Sequence, residues 1–144
     1  NSVIFGFSNK AHDGYLGDSV IGEWCNLGAG TSNSNVKNTA SEVKYINNQH
    51  AAGIIAGNKG GLLMGDYSRA AINTSFNTGT IVGVCCNIFG QNIPEKYVPN
   101  FSRGKERYSF EKALSDIINW KKMKGKDISE REKNLLHQLY IANN

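Results

Sequence analysis

"MGDYSRAAINTSFNTGTIVGVCCNI", residues 64–88, keeps a period of six. Met64, Ala70, Phe76, Val82 and Ile88 are all apolar, and the intervening hexads read MGDYSR, AAINTS, FNTGTI and VGVCCN. Upstream, Tyr15, Ile21 and Leu27 keep the same spacing in YLGDSV, IGEWCN and LGAGTS. Neither the 3.6-residue period of a helix nor plain strand alternation produces a rhythm of six. A parallel β-helix does: short strands stack on equivalent strands of the next coil, and one apolar side chain per hexad points inward. Small residues turn the corners, where glycine tolerates positive φ, and Asn26, Asn73, Asn77 and Asn87 suit corners and side-chain ladders. The hexads themselves say nothing about hand, and the crossover rule for parallel strands favours a right-handed coil.

The rhythm breaks between residues 32 and 63. Leu27 and Met64 lie one residue more than six hexads apart, so this polar stretch leaves the coil at least once. A projecting loop on a rigid scaffold is a common home for function. Within it, "SEVKYI" is expected to pair irregularly with "GIIAG". After residue 93 the character changes. "QNIPEKYVPNFSRGKE" reads as a surface linker, and "YSFEKALSDIINWKKM" then puts Phe110, Ala113, Leu114, Ile117 and Ile118 on one helical face behind Ser109 as N-cap. Ser129 and Glu132 make a capping-box pattern before a second helix striped by Leu135, Leu136, Leu139 and Tyr140. The expected organisation is a mainly β coil over 1–93 and a linker with a two-helix tail over 94–144.

The 144 residues suffice for one folded domain. No apolar run is long enough to span a membrane, and no basic segment followed by an apolar stretch marks a signal peptide. The chain lacks an initiator methionine and is expected to begin inside a longer protein. Cys25, Cys85 and Cys86 cannot all pair, and no Cys-x-x-Cys occurs. They read as reduced, small apolar residues of a cytoplasmic protein, with Cys85 and Cys86 on opposite faces of a strand. The net charge of +4 is confined to residues 94–144, as expected for a solvated helical surface or attraction to phosphates. No aromatic–basic platform suggests nucleic acid.

His12 is the first candidate for chemistry. A lone histidine beside a turn is also compatible with a structural place. If the coils stack, however, Tyr15, Asn26, Asn33, Asn35 and Lys44 would converge near it. An imidazole titrates near neutrality and serves as a general base with little tuning. Amide groups and backbone N–H groups at glycine turns can stabilise an oxyanion. Lys37 and Lys44 would suit a phosphate. Zinc does not fit, because His12, His50 and His137 lack the spacing of a ligand set. Phosphate-loop and dinucleotide fingerprints are absent.

One pattern is more specific than any hexad: His12-x-x-Tyr15-Leu16-Gly17-Asp18, Ile21-Gly22, Asn26-Leu27-Gly28-Ala29-Gly30-Thr31 and Asn35. In order and spacing it resembles the acetyltransferase domain of the bifunctional UDP-N-acetylglucosamine pyrophosphorylase / glucosamine-1-phosphate N-acetyltransferase family. "EVKY", "YVPNFS" and the two-helix tail resemble an alternative bacterial branch of that family and its archaeal relatives. The resemblance implies a left-handed parallel β-helix, against the crossover rule, and a homotrimer with sites between subunits. It implies acetyl transfer from the cosubstrate acetyl-CoA to the amine of glucosamine 1-phosphate, with no metal in this part. Carried over, His12 would be the base, and Asn35 with the Ala29 N–H would meet the thioester carbonyl. Tyr15 and Asn26 would contact the sugar phosphate. Lys44 matches an archaeal lysine at the same site, and Lys37 is its alternative. The family's N-terminal nucleotidyltransferase domain and first coils have no counterpart in these residues. A β-helix that only trimerises a sugar-1-phosphate nucleotidyltransferase is the competing reading, and acyl transfer to another amino-sugar nucleotide is a third.

Overall fold

A computed structural model of the chain describes residues 1–48 and 50–143, without the side chains of His50 and Ala51. In chain order the strands are β1 (Ser2–Ile4), β2 (Ser19–Ile21), β3 (Asn26–Leu27), β4 (Ser32–Asn33), β5 (Lys44–Asn47), β6 (His50–Ile55), β7 (Leu62–Met64), β8 (Arg69–Ala70), β9 (Ser75–Phe76), β10 (Thr80–Val82), β11 (Asn87–Ile88), β12 (Tyr97–Val98), β13 (Ser102–Arg103) and β14 (Glu106–Arg107); helices α1 (Phe110–Met123) and α2 (Glu130–Ala142) follow. Successive strands visit three sheets in turn, as the coils of a parallel β-helix do. One sheet stacks β1-β2-β7-β10-β12 in parallel, a second stacks β3-β8-β11-β13 in parallel, and β4 lies on β9 in the third.

The register carries the hexads. Leu62 sits opposite Thr80 and Arg69 opposite Asn87, each 18 residues on, which is three hexads. Ile21, Leu27, Met64, Ala70, Phe76, Val82 and Ile88 meet inside the coil as one buried core. The first turn differs. Asn9 pairs with Asn26, 17 residues on, so the phase slips by one. Leu16 packs against the core, and Tyr15 is 56% exposed, which corrects its place among the inward residues. Between the next two coils, Val20 is opposite Leu63, 43 residues on: one coil plus an insertion of 25. That insertion holds the antiparallel hairpin β5–β6, with Lys44 opposite Ile55 and Tyr45 opposite Ile54, as "SEVKYI" and "GIIAG" suggested. Its anchor is the fully buried Val43. A Cβ on either Gly60 or Gly79 would lie 2.9 Å from Val43 Cγ1, so both corners must be bare for Val43 to seat. Residues 91–106, expected as a linker, supply β12 and β13 and so extend the stack.

The corner between the first and second sheets is unlike the glycine corners that the hexads suggest. Phe7, Trp24, Tyr67, Cys85 and Phe101 occupy it, all at positive φ between 56° and 61°. Cys85 is thus a corner residue and not a strand residue. It faces the outer cluster while Cys86 faces the coil core. Left-handed backbone disfavours residues with a Cβ by roughly 1–2 kcal/mol, and here it swings bulky side chains outward under the helices. Trp24, Tyr67, Cys85 and Phe101 pack with Tyr108, Ala113, Ile117 and Leu136. Lys121, absent from any apolar stripe, is buried between the rings of Trp24 (4.4 Å) and Tyr67 (5.5 Å) and pairs with Glu132 at 3.0 Å. Leu135, expected in the stripe of α2, is exposed. Ser109 and Ser129 cap the two helices.

One residue past each of these corners stands a small rung. Ser8 accepts from the N–H of Cys25, and Ser68 accepts from that of Cys86. The thiols of Cys25 and Cys86 donate to the carbonyls of Gly65 and Pro99, each at 3.2 Å. Serine and cysteine therefore do one job here, satisfying corner backbone inside the stack. Burial pushes the Cys25 thiol up to about 11 and raises Cys85 and Cys86 as well, so all three stay protonated.

Candidate active site

The candidate residues lie on the first described turn and on the corner where the insertion leaves the coil. Between Asn9 and Tyr15, the Lys10 ammonium donates to the carbonyls of His12 (3.3 Å) and Asp13 (3.2 Å). The Gly30 N–H donates to the Asp13 carbonyl at 3.1 Å. This bond lays the exposed His12 beside the Gly28–Gly30 turn that carries Ala29. Gly14 has no alternative at this approach: its φ is +119°, and a Cβ would fall 2.1 Å from the Thr31 carbonyl oxygen.

Beyond that turn a polar network forms. Asn33 is buried, and its amide both accepts from the Gly17 N–H and donates to the Gly17 carbonyl, each at 2.9 Å. The Tyr15 phenol lies across Gly17, where a Cβ would be 2.0 Å from its oxygen. There the phenol accepts from Asn35 Nδ2 at 3.0 Å. The same Nδ2 donates to Asp18 Oδ2 at 2.6 Å. Asn35 itself is pinned by its carbonyl, which accepts from the Gly60 N–H at 2.9 Å. The hydrogen bond from Asn35 is the main influence holding the Asp18 carboxyl below its ordinary 3.8, opposed by partial desolvation and helped by a hydrogen bond from the Asn1 side chain and by the Lys59 charge. Desolvation, with Asp18 adding to it, raises the neighbouring Tyr45 phenol, which donates to the Gly61 carbonyl.

The structure thus joins Tyr15 directly to Asn35, and it links the neighbours of His12 and Ala29 through the backbone of Asp13 and Gly30, while the His12 side chain forms no hydrogen bond to Tyr15 or Asn35 among the described residues. It does not bring every candidate together. Asn26 is half-buried in β3, on a different sheet, and its side chain forms no hydrogen bond to Tyr15 among the described residues. The Lys37 ammonium is turned to the Glu42 carbonyl at 2.6 Å. It lines an open cleft of about 540 Å³ with Ser32, Ser34, Asn38, Asn77 and Ile93. Lys44 is exposed on β5. The His50 side chain lies outside the described residues. Among the described residues, no group of three His, Cys, Asp or Glu side chains is placed to hold a metal, and no helix is long and apolar enough to cross a membrane. Asp18 and Gly17 stood inside the matched motif without a role. Their signal was an acid and a glycine next to each other at a corner, which becomes chemistry only once Asn35 lands there from 17 residues away.

Comparison with known proteins gives a consistent direction. The likeness is to GlmU. The chain is 35% identical over 85 residues to the "Bifunctional protein GlmU" of Methanocaldococcus jannaschii, covering 59% of this chain and 20% of that protein. It is 37% identical over 89 residues to the "Bifunctional sugar-1-phosphate nucleotidylyltransferase/acetyltransferase" of Sulfurisphaera tokodaii, covering 61% and 22%. A third match, at 33% over 82 residues, is the "Bifunctional protein GlmU" of Methanococcus maripaludis. The chain spans about a fifth of the length of these relatives. No family model matches it.

Proposed function

We propose that this chain is the acetyl-transferring part of a GlmU-like enzyme, moving the acetyl group of acetyl-CoA to the amine of glucosamine 1-phosphate. The observation that carries the reading is the Tyr15–Asn35 contact, because it joins two members of the His-Tyr-Asn-Ala-Asn pattern across a coil corner. The relatives support it by name, since one of them is called an acetyltransferase. In this reading the coil is left-handed and the molecule a homotrimer with sites between subunits.

The chemistry is an acyl transfer. The amine nitrogen attacks the thioester carbonyl, a C–N bond forms, and the C–S bond breaks. One amine proton passes to the imidazole of His12, and the departing thiolate takes up a proton. The Ala29 turn offers a backbone donor to the developing oxyanion, the role glycine-flanked N–H groups serve elsewhere. The exposed Tyr15 phenol and Asn26 meet the sugar phosphate, with Lys44 or Lys37 as counter-charge.

The test is acetylation of glucosamine 1-phosphate by the full-length parent and by His12→Ala. Removing a general base costs about 10²–10⁴-fold in rate, so wild-type kcat in the variant removes His12 from the mechanism. A stable oligomer with no acetyl-CoA affinity would instead favour a trimerisation scaffold. A product panel with other amino-sugar nucleotides separates the acceptor classes.

A further inference from the structure

We propose that Asp18 is a positioning residue that fixes the polarity of the site: it turns the Asn35 carboxamide so that Asn35 presents its oxygen, not its N–H groups, to the reacting amine. The inference rests on the acetyl-transfer reading above and changes one of its parts, since the resemblance places Asn35 at the thioester carbonyl as a donor.

The argument is one of hydrogen-bond inventory. An ionised carboxylate only accepts. An aspartate that is not buried is a carboxylate at neutral pH, so the atom of Asn35 lying 2.6 Å from Asp18 Oδ2 has to be the NH₂ nitrogen. The chemistry of the pair decides the orientation of the amide. That nitrogen carries two hydrogens, and its second partner is the Tyr15 oxygen at 3.0 Å. With both N–H groups engaged, Asn35 has no donor left for a thioester oxyanion. Its Oδ1, without a hydrogen-bond partner among the described residues, is an acceptor. Tyr15, having accepted from Asn35, keeps its own O–H to donate, and the ring is 56% exposed. The bonds therefore diverge from the Asn35 NH₂ group, one to the Asp18 carboxylate and one to the Tyr15 oxygen, which has its own O–H left for a ligand oxygen.

An attacking primary amine needs this. It has two N–H groups: one proton leaves to His12, and the other stays in the amide product. The second N–H requires an acceptor as positive charge builds on nitrogen, and Asn35 Oδ1 supplies it. The oxyanion is left to backbone N–H groups. Lys59 and the Tyr45 phenol are the other charged or titratable side chains facing Asp18, and the Asn1 side chain hydrogen-bonds to it as well.

Asp18 has a positive φ of 49°, so Asp18→Gly removes the carboxylate at a position glycine accepts without strain. Asp18→Asn keeps the shape and lets the Asn35 amide turn over. The side-chain amide resonances of Asn35, identified by their loss in Asn35→Ala, are followed at neutral pH beside steady-state acetylation by the full-length parent. The expected result is that both Asp18 variants move those resonances. Both should also lower kcat about tenfold or more, with the KM for acetyl-CoA little changed and the melting temperature retained. Unmoved resonances overturn the proposal, because the bond would not exist in solution. Moved resonances with unchanged kcat also overturn it, because the bond would position nothing. If the wild-type chain shows the bonded amide yet transfers no acetyl group, the acetyl-transfer reading fails, and the role given to Oδ1 fails with it.

Discussion

Two corners of the same coil use one backbone conformation for opposite ends. The corner of Trp24, Tyr67, Cys85 and Phe101 is left-handed, apolar and roofed by α1 and α2. The corner of Asp18 is also left-handed, with φ of 49°, but its side chain is partly open to solvent in a polar network, and the insertion leaves beside it. A positive φ throws the side chain outward at both. Under the helices the outward side chain becomes a second core. On the open side it becomes a hydrogen-bond partner for Asn35. The repeat therefore sets where side chains emerge, and what lies outside the corner decides whether they serve stability or chemistry.

The roofed corner should answer to stability alone. Phe101 is 1% exposed and meets Tyr140 edge-on at 5.0 Å. Phe101→Ala keeps the backbone conformation and empties that contact, so the expected loss is about 3–5 kcal/mol by denaturant titration. The KM values of the surviving folded fraction should hold. A fall in kcat with full stability would break the division between the corners. The open corner should answer to both. Asn33 is buried and holds Gly17 by two bonds, so Asn33→Ala strands those groups at a cost of about 1–3 kcal/mol. It also unseats the Tyr15 ring, and a lower kcat is expected with it. Lost stability at unchanged kcat would make the polar network structural only.

The stack itself was legible, because one inward residue per hexad is a strong signal and Ile21, Leu27, Met64, Ala70, Phe76, Val82 and Ile88 all obey it. Tyr15 was misplaced because the first turn is one residue short, so Leu16 takes the inward position. No spacing rule sees that slip. The aromatic corner was also hidden: Trp24, Tyr67 and Phe101 run against the local preference for negative φ, and only helices distant in sequence make the arrangement favourable. Lys121 was hidden for the same reason, since its burial depends on two rings and Glu132 contributed by three separate segments. At the candidate site, the motif named His12, Tyr15 and Asn35 as candidates, while the link through Asp18 had to wait for the register.

The smallest effect tests whether strained corners persist only where the side chain gains something. Ala40, in the insertion, has φ of 54° and is exposed. Its N–H donates to the Lys37 carbonyl and its carbonyl accepts from Asn58, both at 2.9 Å, so the turn is held entirely by backbone atoms of residue 40. The methyl group has neither the burial of Phe101 nor the hydrogen bond of Asp18 to offset left-handed strain. Ala40→Gly relieves that strain but loses part of the gain to the freer unfolded chain. The net expectation is a stabilisation of about 0.5–1 kcal/mol, read as a higher melting temperature at unchanged kcat. The same change at Trp24 should go the other way, because there the ring stacks on Phe7 at 4.3 Å and covers Lys121. If Ala40→Gly destabilises as well, positive φ at the corners is not a strain that side-chain contacts offset, and the contrast between the two corners loses its energetic basis.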